Sequence, residues 1–141
     1  MILTLVDSDI DYVKAQAEFT DEGVDNFSGA LIKFKNGVRA SFNAGMILGL
    51  GKDARYDRLF IHGTKGDIRS EVEYNQCGEL SYRIFVDGQT IVRNVPTSNN
   101  YGLETAQLSR CILGNETPYI TEAFSVRNAE LLDTLLREIG Y

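Results

Sequence analysis

The stretch ALIKFKNGVRASFNAGM, residues 30–46, restricts what this chain can fold into more than any other part of it. Ala30, Ile32 and Phe34 fall on one side of an alternating run. Asn36-Gly37 then turns the chain, and Val38, Ala40, Phe42, Ala44 and Met46 alternate back. Period-two alternation on both sides of an Asn-Gly turn is the pattern of an antiparallel hairpin, because Asn-Gly tolerates the positive φ angles of a tight turn. A hairpin with one apolar face needs a core to bury it.

The neighbouring sequence supplies more strands. From Tyr12, Val13, Ala15, Ala17 and Phe19 point one way and Lys14, Gln16 and Glu18 the other, which predicts a half-buried strand. Asp21, Glu22, Gly23 and Asp25 form a polar loop. Further strands are predicted at Leu59 to His62, Ile68 to Tyr74, Leu80 to Val86 and Thr90 to Val95, with turns at residues 63–66 and at Asp87-Gly88. Arg39, Ser41, Arg69, Glu71 and Arg83 mark a polar face, turned to water or to a partner.

After Pro96 the period changes. Asn99 or Asn100 can cap a helix from Tyr101 to about Leu113, with Leu108, Cys111 and Ile112 on one stripe. Gly114-Asn115 ends it. Thr121 caps a second helix whose stripe is Phe124, Leu131, Leu132, Leu135, Leu136 and Ile139, closed by Gly140. Strands first and helices last give an α+β class: residues 1–141 as a single domain, a mostly antiparallel open sheet with helices packed on one face. At the start, Ile2, Leu3, Leu5 and Val6 form a compact apolar patch. A turn that short is stable only when docked on the core, so we expect a helical turn ending near Val6, then a loop over Asp7 to Asp11.

Composition narrows the function. With 43% hydrophobic and 24% charged residues the chain is globular rather than disordered. A net charge of -6 without any Lys/Arg run argues against nucleic acid. The run Ile2–Val6 is too short for a signal-peptide core or a membrane span. Cys77 and Cys111 form no Cys-x-x-Cys pair, as expected of reduced thiols in a cytoplasmic protein. His62 is the only histidine, so a His-based triad or multi-His metal site would need a second chain.

Three motif matches fail on context. Gly49-Leu50-Gly51-Lys52-Asp53-Ala54 spells a dinucleotide fingerprint, but Arg55 to His62 turns strand-like at once and leaves no helix to face a pyrophosphate. Asp7-Ser8-Asp9-Ile10-Asp11 imitates a calcium loop, yet Tyr12 stands where its Gly must be. Gly63-Thr64-Lys65-Gly66 lacks the Gly-Lys-Ser/Thr ending of a phosphate loop and is better a hairpin turn. His62 beside it reads as an ordinary strand-end residue. The carboxylates offer no acid/base couple, so no catalytic, cofactor-binding or metal residue is assigned.

The stretches DNFSGALIKFKNGVRASF and RLFIHGTKGDI, followed by NYGLETAQLSRCILGNETPYITEAFSVRNAELLDTLL, resemble the carboxy-terminal domain of the Gfo/Idh/MocA oxidoreductases, relatives of glucose–fructose oxidoreductase and inositol dehydrogenase. The resemblance covers nearly the whole chain. It implies an NAD(P)-dependent enzyme acting on a sugar or polyol, with NAD or NADP held by an amino-terminal Rossmann domain and none by this chain. It implies a Glu-Lys-Pro lysine and a histidine on a helix of which Ile2 to Val6 resembles the last turns, both outside this chain, and hence a fragment. It also implies a homo-oligomer formed through the open sheet face. Some members place a Tyr-Asp pair against the substrate just before the I-x-G-x-x-G strand. Tyr56-Asp57 stands in that neighbourhood, one residue nearer the turn, and strict register puts Arg55 on the Tyr position. Arg55 and Tyr56 are the substrate-binding candidates. The alternative reading is a stand-alone ligand-binding or dimerisation module without catalytic activity.

Overall fold

The computed structural model describes residues 1–46, 57–70 and 78–141. The elements run α1 (Ile2–Leu5), β1 (Ile10–Phe19), β2 (Asp25–Phe34), β3 (Arg39–Gly45), β4 (Leu59–Gly63), β5 (Gly66–Ser70), β6 (Gly78–Val86), β7 (Gln89–Thr97), α2 (Asn100–Ile112) and α3 (Glu122–Ile139). Strands precede the two long helices, and every described strand pairing is antiparallel, so the α+β expectation holds. The sheet is divided, however: β1-β2-β3 form one and β4-β5-β6-β7 another. Hydrogen bonding follows chain order inside each group, as short hairpin connections favour. The chain forms two compact units, Met1–Leu48 with Ile120–Tyr141, and Gly49–Tyr119.

The first unit holds an apolar core. Val13, Ala30, Ile32 and Phe34 from the sheet meet Leu3 of α1 and Leu131 of α3, with Ile32 and Phe34 fully buried. Ile2, Val6, Ile10, Ala40, Phe42, Phe124 and Leu135 pack around them. The opening residues are therefore a docked helical turn, as expected, although Leu5 faces solvent. Strand β1 begins at Ile10, two residues earlier than the alternation predicts. The register slips between Ile10 and Tyr12, so Asp11 bulges and both Ile10 and Val13 reach the core side. Asp11 instead meets Lys33 at 2.7 Å.

The β2–β3 turn uses three residues rather than two. Phe34 donates its N–H to the Val38 carbonyl and accepts from the Gly37 N–H, both at 2.9 Å. Only Gly37 takes a positive φ, of 89°. That is a type I turn followed by a left-handed glycine.

Helix α3 is capped as predicted: Thr121 accepts from the Phe124 N–H at 3.1 Å, and Gly140 ends it at φ 99°. Its buried stripe is narrower than expected. Leu131 is buried while Leu132 and Leu136 are exposed. Part-buried Arg127 shares the inner side and donates to the carbonyls of Val6 and Ser8, tying α3 to the end of α1.

In the second unit, β4–β7 form an up-and-down meander whose apolar side carries Leu59, Ile61, Ile68, Leu80, Tyr82, Ile84 and Ile91, all half-buried. Helix α2 is capped by Asn99, which accepts from the Gly102 N–H at 3.1 Å. Its expected stripe is not buried: Leu108 and Ile112 are 62% and 76% exposed. Both helices were expected on the apolar face, and only α3 buries a residue. Capping and helix propensity place α2 in sequence, but they are local signals and do not dictate what covers its side chains.

Candidate functional site

Arg55 and Tyr56 lie outside the described residues, as do the fingerprint-like stretch 49–54 and Cys77. Asp7, Asp9 and Asp11 do not converge on a cation: Asp9 bonds Lys35 at 3.1 Å and Asp11 bonds Lys33. Among the described residues no group of His, Cys, Asp and Glu is arranged to hold a metal ion. Gly63–Gly66 is a hairpin turn, as read from the sequence, with Gly63 opposite Gly66 across a two-residue loop.

A polar cluster of the second unit begins at that turn. Pairing in the meander places Phe60 opposite Arg69, His62 opposite Asp67, and Asp67 opposite Phe85. Directly opposed residues share a sheet face, so these side chains lie together. His62 Nδ1 bonds Asp67 Oδ1, and an Arg69 terminal nitrogen reaches Asp67 Oδ2 at 3.3 Å. The Arg69 guanidinium lies 5.0 Å from the Phe60 ring centre and 4.5 Å from that of Phe85. Phe60 stacks on His62 with centroids 6.3 Å apart. The His62 hydrogen bond is the main cause that lowers the Asp67 pKa below the usual carboxylate range; partial burial opposes it and Arg69 adds to it.

When Nδ1–H donates to the ionised Asp67, the Nε2 lone pair of His62 is left facing solvent as a proton acceptor. In the sequence His62 reads as a plain strand-end residue, and its pairing with Asp67 is not apparent there. Period-two spacing across a two-residue turn was the available signal, since residues 62 and 67 flank it symmetrically. Next to the cluster a shallow cavity of about 360 Å³ is lined by Lys65, Gly66, Phe85, Val86 and the β6–β7 turn. The arrangement can bind and orient a polar ligand. Among the described residues it contains no nucleophile paired with a base.

Comparisons with known proteins bear on this directly. Residues 1–69 match the model of the GFO/IDH/MocA C-terminal domain. No curated protein sequence matches the chain. Among solved structures it is similar to KijD10, a 3-ketoreductase from Actinomadura kijaniata seen with TDP-benzene and NADP. The TM-score is 0.81 at 18% identity, covering 97% of this chain and 43% of that one. It is also similar to the dehydrogenase MviM from Clostridium difficile, with a TM-score of 0.68 at 16% identity over 97% of this chain and 44% of that one. The chain thus spans less than half the length of either enzyme. Residues 1–69 are thus similar to the GFO/IDH/MocA C-terminal domain, and the chain shares its α+β fold with these oxidoreductases.

Proposed function

We propose that residues 1–141 serve as one carboxy-terminal domain of a cytoplasmic NAD(P)-dependent oxidoreductase acting on a sugar or polyol. This domain faces the substrate and makes the contacts of a homo-oligomer. A preceding Rossmann domain holds the dinucleotide and supplies the catalytic lysine, and the upstream part of the helix that ends in Ile2 to Val6 supplies the histidine, so the isolated chain is not itself catalytic. The observation that carries the reading is the likeness to a family of bidomain enzymes over nearly the full chain, together with the family match of residues 1–69. In the intact enzyme the nicotinamide would carry the hydride, while protein groups orient the carbinol and handle its proton. Arg55 and Tyr56 are the proposed substrate contacts.

The test is the full coding sequence. An in-frame Gly-rich strand–turn–helix ahead of Met1, with a Glu-Lys-Pro lysine and a His three or four residues before an Asp, is expected. The full-length protein should oxidise or reduce a member of a sugar and polyol panel with NAD or NADP. In it, Tyr56→Phe should raise KM and leave NADP binding unchanged. An in-frame stop codon directly ahead of Met1 would sink the proposal and favour the stand-alone module. Calorimetry on the isolated chain should show no dinucleotide binding; micromolar binding abolished by Gly51→Val would mean that the loop over residues 49–54 is a cofactor site after all.

A further inference from the structure

The pair that turns β2 into β3 is a reactive group as well as a turn. Asn36-Gly37 is the sole Asn-Gly in the sequence, and both residues are exposed to water. In an open chain the Gly37 amide nitrogen can attack the Asn36 carboxamide carbon, because glycine has no side chain to hinder the approach. A Cγ–N bond forms, the amide proton passes to water or hydroxide, and the Cγ–Nδ2 bond breaks to release ammonia. Water then opens the cyclic imide at either carbonyl, leaving an aspartyl or an isoaspartyl residue at position 36. One water is consumed and one ammonia released, with no oxidant or reductant.

The fold both primes and blocks this reaction. Asn36 Oδ1 accepts from the Val38 N–H at 3.1 Å, a bond that polarises the carboxamide carbon toward attack. The Gly37 N–H, however, donates to the Phe34 carbonyl at 2.9 Å, so the proton that must leave is held. The turn is fastened in place by the connector between α1 and β1. Lys35 donates its N–H to the Asp9 carbonyl at 2.9 Å, and Asn36 donates its own to the Ser8 hydroxyl at 3.2 Å. The Lys35 ammonium also reaches the Asp9 carboxylate at 3.1 Å. From the other side, Arg127 of α3 donates to the carbonyls of Val6 and Ser8. Ser8 is the joint: its hydroxyl holds the turn, and its carbonyl is held by α3.

We propose that Asn36 is a deamidation site gated by the connector 6–9, reacting only when that connector lifts off the turn. The inference goes beyond the function proposed above and does not depend on it. A helical turn of four residues is marginal by itself, so the segment that carries the connector is suited to open locally. The isoaspartyl product adds one carbon to the main chain inside the ring that the Phe34 and Val38 bonds close. That ring no longer fits, and a passing opening becomes a permanent one.

Timed incubation of residues 1–141 at mildly alkaline pH, followed by peptide mapping with mass spectrometry, reads the fraction converted at position 36. Wild type in buffer should convert at least about ten-fold more slowly than in concentrated urea, since only the open fraction reacts. Ser8→Ala removes the acceptor of the Asn36 N–H and should raise the rate in buffer at least about three-fold, while Ser8→Thr keeps the hydroxyl and should restore protection. Arg127→Met should act in the same direction as Ser8→Ala from the α3 side. In urea all four proteins should react alike, because the joint is gone. Circular dichroism identifies the variants that remain folded. A wild-type rate in buffer equal to that in urea overturns the protection. A folded Ser8→Ala or Arg127→Met protein that reacts no faster than wild type overturns the gating by the connector.

Discussion

Gly66 opens β5 with φ 154°, and a Cβ there would come 2.0 Å from the Phe85 carbonyl oxygen. That oxygen is backbone and cannot rotate away, so strain and clash coincide. Gly66→Ala should cost more than about 2 kcal/mol, read from the urea midpoint. The two Gly-containing turns differ in an instructive way. At Asp87-Gly88 both residues take positive φ, 50° and 71°, as a two-residue hairpin turn requires. At Asn36-Gly37 only the glycine does, because Asn36 uses its side chain to accept from the Val38 N–H at 3.1 Å. Asp67 belongs to the same scale. Its folded pKa is lowered by the His62 hydrogen bond, so its contribution is complete above the unfolded carboxylate value of about 3.9 and lost as pH falls through the lower folded value. Asp67→Asn should therefore flatten the acid end of the stability-versus-pH curve, a comparison thermal melts can make.

Elements were legible where local rules decide them. The caps Asn99 and Thr121, the stop at Gly140, the seven described strands and the docked opening turn follow from residue type and spacing. Thr121→Ala removes the acceptor for the Phe124 N–H and should cost about 1 kcal/mol, measured as a denaturant midpoint shift at constant m-value. What escaped the sequence depends on partners distant along the chain. The bulge at Asp11 breaks strict alternation only because Ile10 and Val13 must both face Phe34 and Ile32. Arg127 sits between Phe124 and Leu131 on a side expected to be apolar, and its position makes sense only once α3 lies beside the carbonyls of Val6 and Ser8. Arg127→Met keeps the volume and leaves those carbonyls unbonded. It should destabilise the protein by about 1–3 kcal/mol and increase amide exchange in residues 1–6 most. The His62–Asp67–Arg69 cluster was hidden for a similar reason: three ordinary strand residues become a site only through cross-strand register.

For the whole molecule, the described burial is concentrated in one place. Ile32 and Phe34 at the centre of the first unit are fully buried, and Ile32→Ala should cost about 2–5 kcal/mol in equilibrium unfolding, more than truncation of half-buried Ile84. That unit is built from both ends of the chain, Met1–Leu48 and Ile120–Tyr141, with residues 49–119 intervening. Order of synthesis then matters. A nascent chain makes Val13, Ile32 and Phe34 early and must carry them uncovered until Phe124, Leu131 and Leu135 emerge after residues 49–119. The intervening unit has been made by then, and its described strand pairings are between sequence neighbours, which are fast to form. Closure over so long a spacer adds little entropy per extra residue, since the cost grows only as the logarithm of length. The delay is thus one of timing rather than stability, and during it the β1–β3 hairpins present a sticky apolar surface. Ribosomes stalled before α3 emerges should hold chains that bind trigger-type chaperones and are cut by protease within residues 1–46, and release of the finished helix should end both.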